Sequence, residues 1–276
     1  VLRQVVDLIP MGWNNSESVY VRLKVDDNQI MTPVFRETVW KQESAVVIDR
    51  RKTGSVEVFL DLERNGGLPS ENIKVGKGLL NAIAERVARI VEARRIRQSL
   101  EYRLKLEKLV SSISAHFISM PELQTDEYIT DTLGEICRLF DAERGFVWIL
   151  SNGGRNAAGT HEWLSGEAPS LMQQGREIKT ADFVWWRRRL DTDGFVHIPR
   201  VKDLPPEAMN EQKLLFEHGV RSILSVAMLL NGRIVGFIGV SSLTREMSWP
   251  EEDITILKTI SGIFTSALSR RMSFDA

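Results

Sequence analysis

The chain has 276 residues, 43% apolar and 26% charged, and its acidic and basic residues nearly cancel to a formal charge of -1. That length is a prior for two domains with sizeable cores, and the charge balance lacks the electrostatic footprint of a dedicated nucleic-acid binder. A single cysteine, Cys137, excludes an internal disulfide and a thiolate metal cage and fits a reducing, cytoplasmic setting. The longest apolar stretches, such as residues 223–230, fall far short of the ~20 residues of a membrane span. The chain opens at Val1 and stops in a helix-like segment, which reads as a piece excised from a longer protein whose C-terminal output domain is missing.

Residues 1–9 read as a helix end stopped by Pro10 and Gly12. A β-branched run at 19–25 meets the turn cluster Asp26-Asp27-Asn28, and runs at 44–49 and 55–62 flank the turn RRKTG. In the last run Val56, Val58 and Leu60 alternate with Glu57, Phe59 and Asp61, the pattern of an antiparallel strand buried on one face and wetter on the other. After a Gly-, Pro- and Ser-rich loop at 65–70 a helix starts near Glu71, with Leu80, Ile83, Val87, Ile90 and Val91 on one face. No Pro or Gly breaks it between Gly78 and Met120, so roughly 40 residues at about 1.5 Å each would reach about 60 Å. From Glu92 to Lys108 it is heavily charged, and Ile96, Leu100 and Leu104 are the remaining apolar positions. A solvated helix is one reading of that stretch. The favoured one is a parallel seam between two protomers, about two heptads long, because a lone exposed helix has little tertiary support.

Pro121 ends that helix, and another follows from Asp126 to Phe140, capped by Thr125 or Asp126. Strands are expected at 145–150, 157–164, 195–198, 222–230 and 233–242, with helices at 182–190, 206–218 and 250–270. Asn231-Gly232 between two apolar runs is the strongest hairpin signal in the chain. The near-continuous apolar strands of this half predict a sheet covered on both faces. The helix faces Leu80, Ile83, Val87, Val91 and Leu257, Ile260, Phe264, Leu268 carry the same spacing, an internal echo between the halves.

From about Leu106 onward the chain resembles the GAF domain family in its sensor-protein branch. The matching stretches are LVSSISAHFISM, ICRLFDAERGFVWIL, HEW at 161–163, GVRSILSVAMLLNGRIVGFIGVSSL and WPEEDITILKTISGIFTSALSRR. LIPMGW at 8–13, TPVFRETVWKQ at 32–42 and GSVEVFLDLER at 54–64 look like a small unit found ahead of PAS and GAF domains in bacterial and archaeal sensor histidine kinases. The resemblance implies an antiparallel sheet of about six strands, helices from both ends on one face and a ligand cavity on the other. The expected fold class is therefore α+β: two domains, each an antiparallel sheet backed by helices, with an N-terminal domain at 1–77, a connecting helix at 78–120 and a GAF-like domain at 106–276.

The candidate ligand-binding residues are the unusual aromatic and histidine inventory of this half, Trp148, His161, Trp163, Phe183, Trp185, Trp186 and His197, and the resemblance implies that the segments carrying Phe183 to Trp186 and His197 lie over the cavity side of the sheet. The functional reading is an aromatic cage for a planar or cationic small molecule, and the competing one is that the same rings fill a sealed core. Haem or metal ligation is one reading of His161 and His197, but they lack a carboxylate or thiol at ligand spacing, so the favoured reading is satisfied polar groups and no metal site is expected. Cys137 falls on an apolar helix face, where an inert thiol is the default, so a covalent bilin is not expected. Arg187-Arg188-Arg189 reads as a solvated helix face, the alternative being a phosphate clamp. No paired nucleophile and base is found, so no catalytic residue is assigned and no turnover is expected within this chain.

The expected function is the non-catalytic sensory input region of a signal-transduction protein, a sensor histidine kinase above all. It would bind an unknown small molecule, with no cofactor assigned, and pass the signal through its helices in a parallel homodimer. The alternatives are a ligand-free dimerising spacer and the input region of a diguanylate cyclase or another output enzyme. No nucleic acid and no membrane span are expected.

Overall fold

The computed structural model describes residues 2–12, 16–61, 70–119, 125–166, 170, 172 and 177–274, except the side chains of 70–75, 118–119 and 270–274. Most of the expected loop at 65–70, Trp13 and the stop at Pro121 lie outside the described residues. The chain divides into two compact units, Val1–Tyr102 and Arg103–Ala276.

The first unit contains helix α1 (Leu2–Leu8) and strands β1 (Val19–Val25), β2 (Asn28–Met31), β3 (Trp40–Ile48) and β4 (Arg51–Leu60). The strands form an antiparallel sheet in the order β2-β1-β4-β3. Val21, Leu23, Val56 and Val58 point to one face, where they pack against Leu80, Ala84 and Val87 of helix α2 (Ser70–Ser119). The β3–β4 turn is Asp49-Arg50, both at positive φ (50° and 62°), tighter than the RRKTG turn read from the sequence.

The second face of this sheet follows the expected alternation on β3, where Lys41, Glu43 and Ala45 are exposed, but not on β4 at residues 56–61. Glu57 and Phe59 are each 3% exposed, buried almost as fully as Val56 and Val58. Arg22 Nε binds Glu57 Oε2 at 2.5 Å, Lys24 and Lys41 each reach Glu57 Oε1 at 3.3 Å, and Arg22 also pairs with Glu37. Phe35 meets Phe59 edge-on at 5.4 Å between ring centroids, and the Arg22 guanidinium lies over both rings. A carboxylate inside a strand is therefore a buried ion-cluster centre here. Burial alone would push the Glu57 carboxyl up, but hydrogen bonds from Arg22, Lys24 and Lys41 outweigh it and hold it below its ordinary value.

Helix α2 runs unbroken from Ser70 to Ser119, past Gly76 and Gly78 and through the Pro- and Gly-free stretch that follows them. Leu80, Val87 and Val91 belong to the first core, while Leu106, Ile113 and Phe117 are buried within the second unit, and the division falls at Tyr102/Arg103. Ile96, Leu100 and Leu104 remain 63%, 56% and 47% exposed, so the stripe singled out by its spacing is uncovered within the chain.

The second unit adds helix α3 (Thr125–Phe140) and strands β5 (Arg144–Ser151), β6 (Asn156–Leu164) and β7 (Glu177–Lys179). These are followed by helix α4 (Val184–Asp193), β8 (Phe195–Ile198), α5 (Met209–Glu217), β9 (Ser222–Leu230), β10 (Arg233–Ser242) and α6 (Glu251–Phe274). The six strands form one antiparallel sheet in the order β7-β6-β5-β10-β9-β8. Asn231 and Gly232 both sit at positive φ (50° and 75°), the two-residue turn expected of that dipeptide. Gly239 is required by space: a Cβ there would stand 2.4 Å from Phe146 Cζ and 2.5 Å from the Leu224 carbonyl oxygen. On one face lie α3, α6 and the end of α2, joined where Phe117 meets Tyr128 and Phe264 at 5.0 and 5.5 Å between ring centroids. α4 and α5 cover the other face.

The Glu57 cluster sets a measurable acid sensitivity. Because the folded carboxyl titrates below its ordinary value, its stabilisation is complete above that value and is lost as pH falls through the folded one. Glu57→Gln is expected to destabilise the first unit by about 2–3 kcal/mol at pH 7 and to remove part of its acid dependence. Urea denaturation at pH 7 and pH 4 measures both.

Candidate functional site

In a sheet covered on both faces, the pleat decides which side chains face which layer. Phe146 and Trp148 of β5, Val196 and Ile198 of β8, and Phe237 of β10 pack on the α4/α5 side. Between them and α4 and α5 lies a cavity of about 100 Å³. Its wall is apolar and aromatic: Trp148 stacks on Phe237 with centroids 6.1 Å apart and 6° between planes, and Trp186 lies 6.0 Å from Phe237. Phe183, Leu190 and Leu215 complete it from the helices.

Two polar features stand in this wall. Glu211 of α5 is buried, and its Oε1 accepts the backbone N–H of Trp186 at 3.0 Å, tying α5 to the first turn of α4. Trp186 Nε1 is buried and has no hydrogen-bond partner among the described residues. An unpaired buried donor costs about 1–3 kcal/mol, so an acceptor brought next to it is favoured. Arg187 stands at the rim. Its Nη1 donates to the Gly154 carbonyl at 2.5 Å, and its Nε lies 3.7 Å from Asp191.

Of the seven residues expected from the sequence, the structure brings Trp148, Phe183 and Trp186 together at the cavity. His161 and Trp163 lie on the opposite face. Along β6, Ala157 faces the cavity and Gly159 pairs with Trp148, so strict alternation would put 161 and 163 on the cavity side as well. A bulge at Thr160 breaks that alternation and pairs His161 with Val147. His161 Nε2 lies 3.0 Å from Asp126 Oδ1 of α3, and Trp163 packs under Gly134 with Arg138 over its ring. Trp185 packs against the same core beneath Arg189 but does not line the cavity. His197 alternates with Val196 and Ile198 and turns toward Trp249, whose backbone N–H donates to its Nε2 at 3.2 Å. Both histidines are satisfied polar groups. Among the described residues no three His, Cys, Asp or Glu side chains are grouped to hold a metal ion. Glu211 and Phe237 were not singled out in the sequence, and Arg187, read there as part of a solvated helix face, stands at the cavity rim.

Cys137 is buried in α3, close to Gly145 of β5, and burial pushes its thiol well above the ordinary value. Its neighbours Ile136 and Leu133 belong to the helix layer of the sheet, away from the cavity wall. Arg144 at the start of β5 is fully buried, with its Nε 3.2 Å from Glu162 Oε1 of β6. A six-stranded antiparallel sheet with helices on one face and a capped aromatic cavity on the other is the arrangement implied by the sequence resemblance, and the comparisons agree. The family description "GAF domain" matches residues 124–268, more than half of the chain.

The chain belongs to the GAF domain family.

Over 176 residues this GAF-containing chain is 26% identical to the methanogenesis regulatory histidine kinase FilI of Methanothrix harundinacea, covering 60% of this chain but 19% of that protein. Among solved structures, the phycocyanobilin-bound GAF domain of a cyanobacterial phytochrome is 17% identical at a TM-score of 0.51, with 60% of this chain and 94% of that one covered. The phycoerythrobilin-bound GAF domain of a cyanobacterial phytochrome is 16% identical at a TM-score of 0.52, covering 63% and 100%. The chromophore-binding domain of a bacteriophytochrome from R. palustris is 13% identical at 0.52, covering 63% and 64%. At those identities the likeness is one of fold. No helix among the described residues is long and apolar enough to cross a membrane.

His197 gives this GAF domain a pH signature. Burial holds its ring below the ordinary histidine value, so the unfolded chain takes up the extra proton. The stability it contributes is complete above about pH 6.5 and is lost as pH falls toward the lowered folded value. His197→Gln, which keeps an acceptor for Trp249, is expected to flatten the pH 5–7 part of the stability curve, measured by thermal unfolding at pH 5, 6 and 7.

Proposed function

We propose that this chain is a sensory input region in which the GAF cavity takes up the planar ring of a small molecule and the helix layer on the far side of the sheet carries the response. The observation behind this reading is the cavity wall: Trp148, Trp186, Phe183 and Phe237 around about 100 Å³, with one unpaired Nε1–H donor. Apolar cavities of roughly 150 Å³ stay dry and admit a single ring, and this one is of that order. A ring carrying one acceptor would both fill it and satisfy Trp186. The cationic ligand entertained from the aromatic inventory is less well served, because Glu211, the buried carboxylate, is already engaged by the Trp186 backbone.

A bilin of the kind bound by the neighbouring structures does not fit these residues. A tetrapyrrole is several times larger than the cavity, and the thiol of Cys137 is buried in the helix layer. No step is routed through such a group.

The relay rests on adjacency. Trp148 and Phe146 face the cavity while their strand neighbour Val147 faces the helix layer, so one strand separates ligand from helix. A ligand shifts that layer only by its differential affinity for two packings, about 1.4 kcal/mol per tenfold. The uncovered stripe Ile96, Leu100 and Leu104 on α2 supports a parallel homodimer, and the resemblance to a regulatory histidine kinase supports a kinase as the output. This chain itself would then show no turnover. The rival reading, a ligand-free dimerising spacer, draws on the Trp148–Phe237 stack, in which the wall partly fills its own space.

A thermal-shift screen of single-ring aromatics separates the two readings. A ligand at a hundredfold its Kd adds about 2.7 kcal/mol, roughly 5–10 °C in Tm for a domain of this size. Ala157→Leu, which adds carbon to the cavity floor, is expected to abolish that shift while the domain stays folded. A flat screen with the native chain supports the spacer. For the dimer, Leu100→Lys is expected to convert the species seen by light scattering from dimer to monomer; a native chain that is monomeric at high concentration ends that part of the proposal.

A further inference from the structure

The cavity does not end at Arg187. A groove on the outer side of α4 is lined by Arg155, Lys179 and Arg187 together with Asn152, Asn156 and Thr180, and it shares Thr180 and Arg187 with the apolar cavity. Three cations line this groove and no carboxylate does. Among the described residues neither Arg155 nor Lys179 has a carboxylate partner, and the carboxylate of β7, Glu177, is engaged by Ser151 and Asn156. Arg187 donates through Nη1 to the Gly154 carbonyl and, at 3.4 Å, to Thr180 Oγ1 and lies near Asp191, leaving part of its five-donor fork open.

From this continuity we infer that the ligand is an aromatic acid: a single ring seated among Trp148, Trp186 and Phe237, with a short anionic arm that passes Thr180 and ends among Arg155, Lys179 and Arg187. The inference rests on the ring-binding reading above and adds the ligand's charge. Like charges crowded on one groove repel one another, and an anion relieves that repulsion while a neutral ligand does not. Arg187 holds a pivotal place because it lines both compartments. Its anchor to Gly154 also fixes α4 over the cavity, so an anion that draws the guanidinium from that carbonyl would change how α4 is held. Gly154 suits this arrangement: its φ is +82°, and a Cβ there would meet Arg187 Nη2 at 3.3 Å.

The test is calorimetric titration of the whole chain with benzoate, phenylacetate and 3-phenylpropionate, each beside its neutral amide, and with phenyl phosphate. The expected result is that at least one acid binds tenfold or more tightly than its amide, that the advantage shrinks as salt is raised, and that the double variant Arg155→Gln/Lys179→Gln removes it while amide affinity stays unchanged. Tighter binding of phenyl phosphate than of every carboxylate would assign the arm as phosphate rather than carboxylate. Acids and amides that bind equally, or an acid preference untouched by the double variant, overturn the anionic arm and leave the ring cavity standing. If neither acids nor amides bind, the ring-binding reading fails and this inference falls with it. Both substituted residues are exposed, so the double variant is expected to keep the native Tm, which is checked in the same samples.

Discussion

A pleated strand sends successive side chains to opposite faces, and in β5 both faces are buried. Phe146 and Trp148 must therefore be accommodated on one side and Val147 on the other, and every neighbouring strand has to follow that partition. β10 does so with Phe237 opposite Trp148 and Ile238 opposite Val147. Glycine at 239 makes room for Phe146, and the bulge at Thr160 resets β6 so that His161 and Trp163 serve the helix layer instead of the cavity. The cavity is thus a by-product of strand parity. Large rings on one side of the central strands hold α4 and α5 away from the sheet, and the space between is what remains.

Much of the architecture was legible from local pattern. β1 and β8 fall where the β-branched runs were read, and the hairpin at Asn231-Gly232 follows from its turn chemistry. The short strands β2 and β7 were not legible, because four or three residues carry too little alternation to stand out from a loop. The candidate site was half legible. Aromatic residue type pointed to the right segments, but parity had to be known to choose among them, and a single extra residue at Thr160 inverts it. On α4 a signal was present and unused: Phe183, Trp186, Arg187 and Leu190 are spaced 3, 1 and 3 apart, one helical face, which sets Arg187 with the cavity residues and Trp185 off it. The buried Glu57 was misread because alternation reports polarity, whereas cations from β1 and β3 had made a carboxylate compatible with burial.

Each unit passes from a central strand into a long helix, β4 to α2 and β10 to α6, and the helices present the same 3-4-4 spacing to their sheets. Leu80, Val87 and Val91 in one, and Leu257, Phe264 and Leu268 in the other, are all buried. The register of each helix is thereby fixed by its own sheet over about three turns. Beyond Val91 that constraint lapses in α2, and Ile96 and Leu100 stay 63% and 56% exposed. Tertiary packing, not intrinsic propensity, accounts for most helix stability, so the stretch from Glu92 to Tyr102 is where a second chain has most to add.

The lone thiol has a practical corollary. Cys137 is fully buried with its protonated form favoured, so a maleimide dye or nitroxide would leave it unmodified in the folded protein. A cysteine introduced at an exposed position, such as Arg188 on α4, would then be the single reactive site without any prior removal of native sulfur. The molecule comes ready for a single environment-sensitive label on the helix that roofs the cavity.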